Sequence, residues 1–152
     1  MKNVDFETFC KEAETILSNA NSIVLATAYA AKVTARTMSH VNDGLEIMFQ
    51  TGQNSEKALQ MQKNPYVALA VSNLQIEALA TMLGHPLNDC NIHFVNLYKQ
   101  KFPKYFQLYS GSEHEVLFVC KPLKVTLYKY IDGVPLQVVI DIEKKSIRYN
   151  KT

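Results

Sequence analysis

The sequence predicts a mainly β protein, an antiparallel barrel of six to eight strands with about three to four helices at its periphery. Short runs of β-branched and aromatic residues recur along the chain, and clusters of turn residues separate them. Segments with helical periodicity interrupt these runs at only a few places. Strands and helices do not alternate regularly, as the βαβ units of a parallel sheet would require.

Size and composition predict a single soluble globular domain over residues 1–152. The chain is 47% hydrophobic and 20% charged, with a formal net charge of +2. Its 16 basic side chains are scattered, and only Arg36 and Arg148 are arginines. We therefore expect no nucleic-acid-binding surface, because such surfaces cluster Arg and Lys on one face.

The cysteines and the first residues predict a cytoplasmic protein. Cys10, Cys90 and Cys120 are odd in number and far apart, which favours buried thiols in a reducing compartment over a disulfide framework. The residues after Met1 lead directly into an amphipathic segment and not into the apolar core of a signal peptide. No apolar run approaches the length of a membrane span, so no membrane association is expected.

The first half of the chain predicts a helix followed by three strands. Apolar residues recur at helical spacing from Asp5 to Ser18, with Asp5 as the expected cap. Ser22 to Tyr29 and Val33 to Val41 form a predicted hairpin, and Leu45 to Thr51 adds a third strand to make a meander. Alternation in the third strand places Leu45, Ile47 and Phe49 on one face and Glu46, Met48 and Gln50 on the other.

The second half predicts two further helices among strands. The helices are a two-turn segment from Ser55 to Lys63, ended by Asn64 and Pro65, and an amphipathic segment from Ile92 to Phe102, stopped by Pro103. The strands are predicted at Tyr66 to Ser72, Gln75 to Leu83, Glu115 to Lys121, Lys124 to Tyr130 and Gln137 to Ile142.

One segment carries residues suited to binding a phosphate. A strand contains Arg36, and a short helix opens at Ser55 with Lys57 in its first turn. The start of a helix offers unpaired N–H groups and the positive end of the helix dipole. Lys57 opposes that dipole unless an anion lies nearby, and the Arg36 guanidinium could grip the same anion with two hydrogen bonds.

At these residues the chain resembles the FMN-binding split-barrel family typified by pyridoxamine 5'-phosphate oxidase. In that family a strand with an arginine, a strand ending in threonine, and Ser-x-Lys-Ala opening a helix closed by Asn-Pro form the flavin site. The matching elements here are Arg36, Thr51, the run Ser55, Glu56, Lys57, Ala58, and the pair Asn64, Pro65. The resemblance covers about residues 16–129 and implies a split antiparallel barrel.

The resemblance also implies the cofactor, the site and the assembly. Arg36, Ser55 and Lys57 would hold the FMN phosphate, while Met38, Gln50 and Thr51 would line the isoalloxazine ring. Family members bind the flavin between two subunits, so a homodimer with the flavin at its interface is expected. The implied activity is that of an FMN-dependent oxidoreductase acting on an unidentified small molecule, in which no side chain needs to be an acid or base.

Two departures separate the chain from enzymes that oxidise pyridoxamine phosphate. Those enzymes usually have a second basic residue between the serine and the lysine, where this chain has Glu56. They also end in a segment containing Arg and His that grips the substrate phosphate, whereas this chain ends Ser146, Ile147, Arg148, Tyr149, Asn150, Lys151, Thr152. A true pyridoxamine-phosphate oxidase is therefore not expected.

Other interpretations stay open at this stage. Taken singly, Ser55 is an ordinary helix cap, Lys57 a solvated helix residue and Met38 a core residue. A non-enzymatic sensor could use the same barrel for flavin or haem, and a protein-interaction module is a third possibility. The four histidines lack metal-ligand spacing, so no metal site is expected. Helix core and dimer contact are the roles expected for Tyr98, Phe102, Tyr105, Phe106 and Tyr109.

Overall fold

A computed structural model describes residues 2–152 of the chain, and the side chains from Asp5 onward. These residues form four α-helices, nine strands and one 3-10 turn at Asp89–Asn91. The helices are α1 (Lys2–Asn19), α2 (Glu56–Lys63), α3 (Ile92–Lys101) and α4 (Pro103–Tyr109). The strands are β1 (Ser22–Tyr29), β2 (Lys32–Ser39), β3 (Val41–Asp43), β4 (Glu46–Gly52), β5 (Tyr66–Val71), β6 (Leu74–Met82), β7 (Glu115–Ile131), β8 (Val134–Asp141) and β9 (Ser146–Lys151).

The strands form one antiparallel sheet that closes on itself at one corner. Its main path runs β2-β1-β5-β6-β7-β4-β3, and β8 and β9 extend it from β7. Only His40 separates the end of β2 from the start of β3, so the two ends of the path lie within roughly 7 Å of each other there. Among residues 2–152 no ladder joins β2 to β3, so the chain itself closes the split barrel. The predicted mainly β fold with peripheral helices is confirmed.

The predicted three-strand meander is wrong. The hairpin of β1 and β2 forms as expected, but the third strand, β4, pairs with β3 and β7 and not with β2. The predicted second strand, which ran to Val41, ends at Ser39, and Val41 begins a separate short strand. Local alternation could not distinguish these pairings, because barrel closure at His40 separates residues that are neighbours in sequence.

The helical predictions hold with two corrections. Ser55 caps α2 and Asn64 ends it, as predicted. Asp5 does not cap α1, because that helix begins at Lys2 and Asp5 lies in its first turn, where a carboxylate still favours the dipole. Pro103 ends α3 but also opens α4, which the sequence analysis missed, since proline is well tolerated at the first position of a helix.

The later strands also differ from the prediction. The two strands predicted on either side of Pro122 are one long strand, β7. The register shifts opposite Glu77 and Ala78, where Ala78 pairs with Pro122 and Glu77 with Lys124. A bulge of this kind lets a strand continue past a proline that cannot donate to the ladder. The last strand, β9, was not predicted and pairs with β8.

Two hydrophobic clusters position the site. The larger fills the barrel and includes Leu25, Phe49 and Phe118, with α1 covering one end through Ala13 and Leu17. The smaller lies under α3, and its members are Val41, Met48, Phe94, Tyr98, Leu117 and Val119. The predicted two faces of β4 are confirmed, because its alternate residues enter these different clusters.

The sequence analysis expected all three cysteines to be buried, and this expectation is wrong for two of them. Cys120 is buried in the barrel, Cys10 is partly exposed and Cys90 is exposed beside α3. Burial raises the pKa of the Cys120 thiol to about 12, so this side chain behaves as a small apolar residue. None of the described helices combines the length and the apolar character that a bilayer crossing needs.

Candidate functional site

A cavity of about 420 Å³ lies where β2 and β4 approach α3 and α4. The three residues predicted to line a flavin ring, Met38, Gln50 and Thr51, all line it. Its other lining residues come from the same two strands, the two helices and the start of β7. They are Thr37, Ser39, Gly52, Tyr98, Tyr105, Tyr109 and Glu115. β2 is the terminal strand of the sheet path, so its edge presents unpaired backbone groups to this space.

Gln50 is held in one orientation inside the cavity. Ser110 Oγ donates a 2.7 Å hydrogen bond to Gln50 Oε1. Since that oxygen is engaged, the amide nitrogen of Gln50 is the group available to Glu115, and this hydrogen bond lowers the pKa of the Glu115 carboxyl. Burial has the larger and opposite effect and raises that pKa above its ordinary value.

Arg36 is half-buried and anchored by neutral oxygens. Its Nη1 donates to Thr27 Oγ1 at 2.7 Å and to the Leu25 carbonyl at 3.3 Å, and its Nη2 donates to Thr34 Oγ1. Both threonine hydroxyls in turn donate to Gln60 Oε1 of α2, at 2.5 and 2.8 Å. These bonds use three of the five N–H groups of the guanidinium and tie β1, β2 and α2 together.

Ser55 and Lys57 form the entrance of α2. Ser55 Oγ accepts from Ala58 N at 3.3 Å and lies 3.3 Å from Thr51 Oγ1, which connects the helix start to the cavity wall. The N–H groups of Glu56 and Lys57, at the first two helical positions, have no intrahelical acceptors. Burial and the nearby positive charge of Arg36 both lower the pKa of the half-buried Lys57 ammonium.

The two predicted cations therefore lie close together, beside the cavity. Neither Arg36 nor Lys57 forms an ion pair in the part of the chain that the structure describes. Arg36, Ser55 and Lys57 do not themselves line the 420 Å³ cavity, whereas Glu115, whose charge acts on Lys57, does. The six predicted site residues thus form two adjoining groups, one around the cavity and one at the start of α2.

Glu56 points away from the cavity. Its carboxylate is exposed and forms a 2.8 Å ion pair with Lys32, a contact that lowers the pKa of Glu56. A smaller effect of Arg36 acts in the same direction, so Glu56 is near the cationic group without being bonded to it. Enzymes that oxidise pyridoxamine phosphate usually have a basic residue at this position, which adds positive charge. In this chain the position holds Glu56, whose negative charge is neutralised by Lys32.

Sequence reasoning missed seven of the ten residues of the cavity wall, among them Glu115 and the tyrosines Tyr98, Tyr105 and Tyr109. The aromatic residues were expected to form helix core and dimer contacts. Tyr98 of α3 is buried, as a core residue would be, whereas Tyr105 and Tyr109 are exposed, and their role in a dimer contact stays a prediction. Tyr105 and Tyr109 were missed because α4 was not predicted. Its first residue, Pro103, was interpreted as the end of the preceding helix. Glu115 begins a strand after a turn, and its sequence neighbours give no indication of the cavity.

The histidines lie outside the cavity. His40 is fully buried, and His85 donates from Nε2 to the Ser112 carbonyl at 2.8 Å while its Nδ1 accepts from Leu87 N at 3.1 Å. His93 lies 2.9 Å from Asp43, and His114 lies 3.1 Å from Glu113. The polar groups that face the cavity are therefore hydroxyls, one amide and one carboxylate.

Comparison with known proteins shows the fold. No protein-family model and no curated protein matches the chain. Among solved structures, a putative pyridoxamine 5'-phosphate oxidase from Listeria innocua aligns with a TM-score of 0.64 and 19% identity, over 78% of this chain and 97% of that one. The general stress protein 26 of Bacillus anthracis str. Sterne aligns with a TM-score of 0.62 and 16% identity, over 95% and 98%.

A third similar structure extends the range of ligands associated with this fold. A haem-binding protein from Mycobacterium smegmatis aligns with a TM-score of 0.72 and 15% identity, over 90% of this chain and 59% of that one. The split-barrel resemblance predicted from the sequence is thus confirmed for the fold. One fold hosts different ligands, so function must be argued from the site.

Proposed function

We propose that the chain is an FMN-binding flavoprotein that transfers electrons between the flavin and a small molecule, and that it is not a pyridoxamine-phosphate oxidase. The observation that carries this proposal is the pair of half-buried cations at the start of α2, Arg36 and Lys57, which lack a carboxylate partner among the described residues. A buried charge is costly unless an opposite charge compensates it. A phosphate at this position provides that compensation.

The phosphate group would interact with several groups of the chain. The network through Thr27 and Thr34 holds the Arg36 guanidinium in place and leaves two of its five N–H groups for an anion. Lys57 adds a point charge, and the free N–H groups at the start of α2 add hydrogen bonds and the helix dipole. Ser55 keeps this helix start next to Thr51 and the cavity.

The adjoining cavity suits the ring of the flavin. Met38 offers an apolar, adaptable surface, and Gln50 offers an oriented amide. The edge of β2 at residues 37–39 adds backbone donors and acceptors. When bound, FMN supplies hydride and single-electron chemistry, and the chain supplies its position, its hydrogen bonds and exclusion of water.

A second copy of the chain is proposed to complete the site. The outer face of β1, β2 and β5 is apolar and exposed. On this face Val33 is 70% exposed and Tyr66 is 63% exposed. A groove of about 460 Å³ crosses this face. Thr37 belongs to the same face of β2 as Val33 and also lines the 420 Å³ cavity, so a partner on this face would reach the cofactor.

Haem binding without enzymatic activity is the second candidate. The similar haem-binding protein motivates it, and Tyr98, Tyr105 and Tyr109 provide oxygen atoms in the cavity that could ligate iron. Flavin is preferred because the histidines, the commonest haem ligands, lie outside the cavity.

The test is a comparison of FMN with riboflavin, which lacks the phosphate. Purified protein is titrated with each ligand, and flavin fluorescence, the absorption spectrum and the melting temperature are followed. We expect FMN to bind at least about tenfold tighter than riboflavin, since charge-assisted hydrogen bonds to the phosphate contribute about 1.5–3 kcal/mol each. At saturating FMN the melting temperature should rise.

Two outcomes would contradict the proposal. Protein that stays colourless with an unchanged melting temperature in excess FMN does not bind the flavin. Equal affinity for FMN and riboflavin would show that Arg36 and Lys57 do not bind the phosphate. Reduction of the bound flavin by NADH or NADPH, followed by reoxidation, separates an oxidoreductase from a flavin-binding sensor, and haem titration of the same sample tests the second candidate.

A further inference from the structure

We infer that Glu115, Tyr105 and Tyr109 form a binding subsite for an organic cation, such as a protonated aromatic amine or a quaternary ammonium group. As a substrate site it rests on the proposed function, because it shares the cavity with the residues assigned to the flavin ring. As a binding site it depends only on the residues of this chain.

The charge of the cavity favours a cation. Glu115 is its one charged lining residue within the described chain, and its half-buried carboxylate forms no ion pair there. Two basic side chains, Lys57 and His85, face it from outside the cavity. The ring nitrogens of His85 are bonded elsewhere, Nε2 to the Ser112 carbonyl and Nδ1 to Leu87 N, so His85 forms no hydrogen bond with Glu115.

Lys57 acts on Glu115 from the side of α2. Its charge lowers the pKa of Glu115, but no ion pair joins the two. If a phosphate engages Lys57, as proposed above, the Glu115 carboxylate is left as the negative group facing the cavity. A negatively charged substrate would meet that carboxylate, so the lining disfavours carboxylates and phosphates at this end.

The tyrosines supply the aromatic part of the subsite. Rings follow one another from α3 into α4, with centroid separations of 5.3 Å for Tyr98 and Phe102, 5.7 Å for Phe102 and Tyr105, and 6.2 Å for Tyr105 and Tyr109. Tyr105 and Tyr109 remain 43% and 54% exposed, so ring surface is available to a ligand. Aromatic faces attract cations, and tyrosine rings beside a carboxylate bind quaternary ammonium groups.

The two aromatic residues also have no core role that would explain them. No residue of α4 is buried, and its ring contacts run along the helix and back to α3. Phe106 anchors α4 by packing against the smaller cluster, whereas Tyr105 and Tyr109 border the polar cavity and keep ring surface exposed to a ligand.

The experiment measures binding of benzyltrimethylammonium, a permanent cation, against benzyl alcohol and benzoate at constant ionic strength, by calorimetry. Wild-type protein, Glu115→Gln and the matched control Glu113→Gln are compared, since Glu113 is exposed and lies outside the cavity. We expect the wild type to bind the cation roughly tenfold tighter than either other probe, and Glu115→Gln to lose about tenfold in affinity. Glu113→Gln should match the wild type.

A second variant tests the subsite independently, in case Glu115→Gln does not fold correctly. Tyr109→Leu should weaken cation binding several-fold, because it removes an aromatic face, while circular dichroism and the melting temperature report on the fold. Unchanged cation affinity in Glu115→Gln, or benzoate binding as tight as the cation, would overturn the subsite.

FMN affinity is measured in the same samples, so the two proposals can fail separately. If the wild type discriminates the cation but does not bind FMN, the subsite stands as a binding site and the flavoprotein proposal falls. If FMN binds and the cation is not preferred, the flavoprotein proposal stands and the subsite falls.

Discussion

Among single residues, Arg36 shows how a partly buried charge without a counter-charge indicates a candidate anion site. Arg36 gives up part of its hydration and receives only neutral oxygens in return, and burial lowers the pKa of its guanidinium. Hydrogen bonds from a cation to hydroxyls compensate less than a bond to a carboxylate does. An anionic ligand bound to the remaining N–H groups of Arg36 would offset this loss of hydration.

Lys57 provides the sharpest residue-level test of that anion site. Lys57→Gln should weaken FMN binding about tenfold or more, because it removes one charge-assisted contact, and should leave riboflavin binding unchanged. Lys63→Gln is the matched control, since Lys63 is exposed in the last turn of the same helix. Fluorescence titration measures all four affinities. Equal losses in the two variants would show that Lys57 has no specific role.

His40 makes a pH-dependent contribution to stability. It is fully buried, its Nε2 donates to the Leu17 carbonyl at 3.0 Å, and its Nδ1 has no hydrogen-bond partner among the described residues. Burial, with a smaller effect of Lys101, lowers the pKa of His40 to about 4 from an ordinary value of 6.5. The folded state therefore binds fewer protons than the unfolded state between those values, and stability falls as the pH falls through that range.

We expect this histidine to account for about 3 kcal/mol of the stability lost between pH 7 and pH 4. His40→Gln can still donate to the Leu17 carbonyl but cannot titrate in this range. Urea unfolding at a series of pH values measures the free energy of unfolding of both proteins. The variant should show a smaller loss than the wild type, and parallel curves would contradict the assignment.

At the scale of elements, the hairpin of β1 and β2 carries an unusual turn. Two alanines, Ala30 and Ala31, connect the strands with positive φ angles of 50° and 65°. Hairpins with two-residue loops favour this twist, but asparagine and glycine usually supply it, because a Cβ makes the left-handed conformation costly. The strained turn at Ala30 and Ala31 therefore belongs to the same hairpin as Arg36.

Ala31→Gly should stabilise the protein by about 0.5–1 kcal/mol, since the relief of left-handed strain exceeds the extra entropy that glycine loses on folding. The control is Ala35→Gly, a substitution in the regular part of β2, which should destabilise the protein. Chemical denaturation measures both changes. A loss of stability in Ala31→Gly similar to that of the control would contradict the strain argument.

At the scale of the whole molecule, the outer face of the barrel is the proposed dimer interface. Its exposed centre is apolar, and Glu77 at its border is neutralised by Lys124 at 3.1 Å. A second copy of the chain would cover this face and extend the cavity next to Thr37. The proposed dimer therefore links oligomeric state to cofactor binding.

Val33→Glu should convert the proposed dimer to a monomer and weaken FMN binding, because it places an unpaired carboxylate at the centre of the proposed interface. Tyr130→Glu is the control, since Tyr130 is also highly exposed but lies near the β7–β8 turn. Sedimentation velocity measures the state of each protein with and without FMN. A wild-type monomer, or a Val33→Glu protein that remains dimeric, would refute this assembly.

Much of this protein was predictable from local sequence. Alternation predicted the two faces of β4, and Ser55 with Asn64 and Pro65 marked α2, because caps and periodicity act over a few residues. The proximity of Arg36, Ser55 and Lys57 followed from their match to a known motif. The faces of β4 and the bounds of α2 depend only on residues that are close together in the chain, so local sequence was enough to predict them.

The strand pairing and the rest of the cavity were decided by tertiary structure. β4 pairs with β7 across a long sequence separation, which places Glu115 opposite Gly52 and close to Gln50, and α4 brings Tyr105 and Tyr109 to the same cavity. Local propensity contains no term for such contacts, since their free energy arises from the burial of surfaces that are distant in sequence. The sequence by itself determined most of the elements and the run of Arg36, Ser55 and Lys57, and the closed barrel determined what faces them.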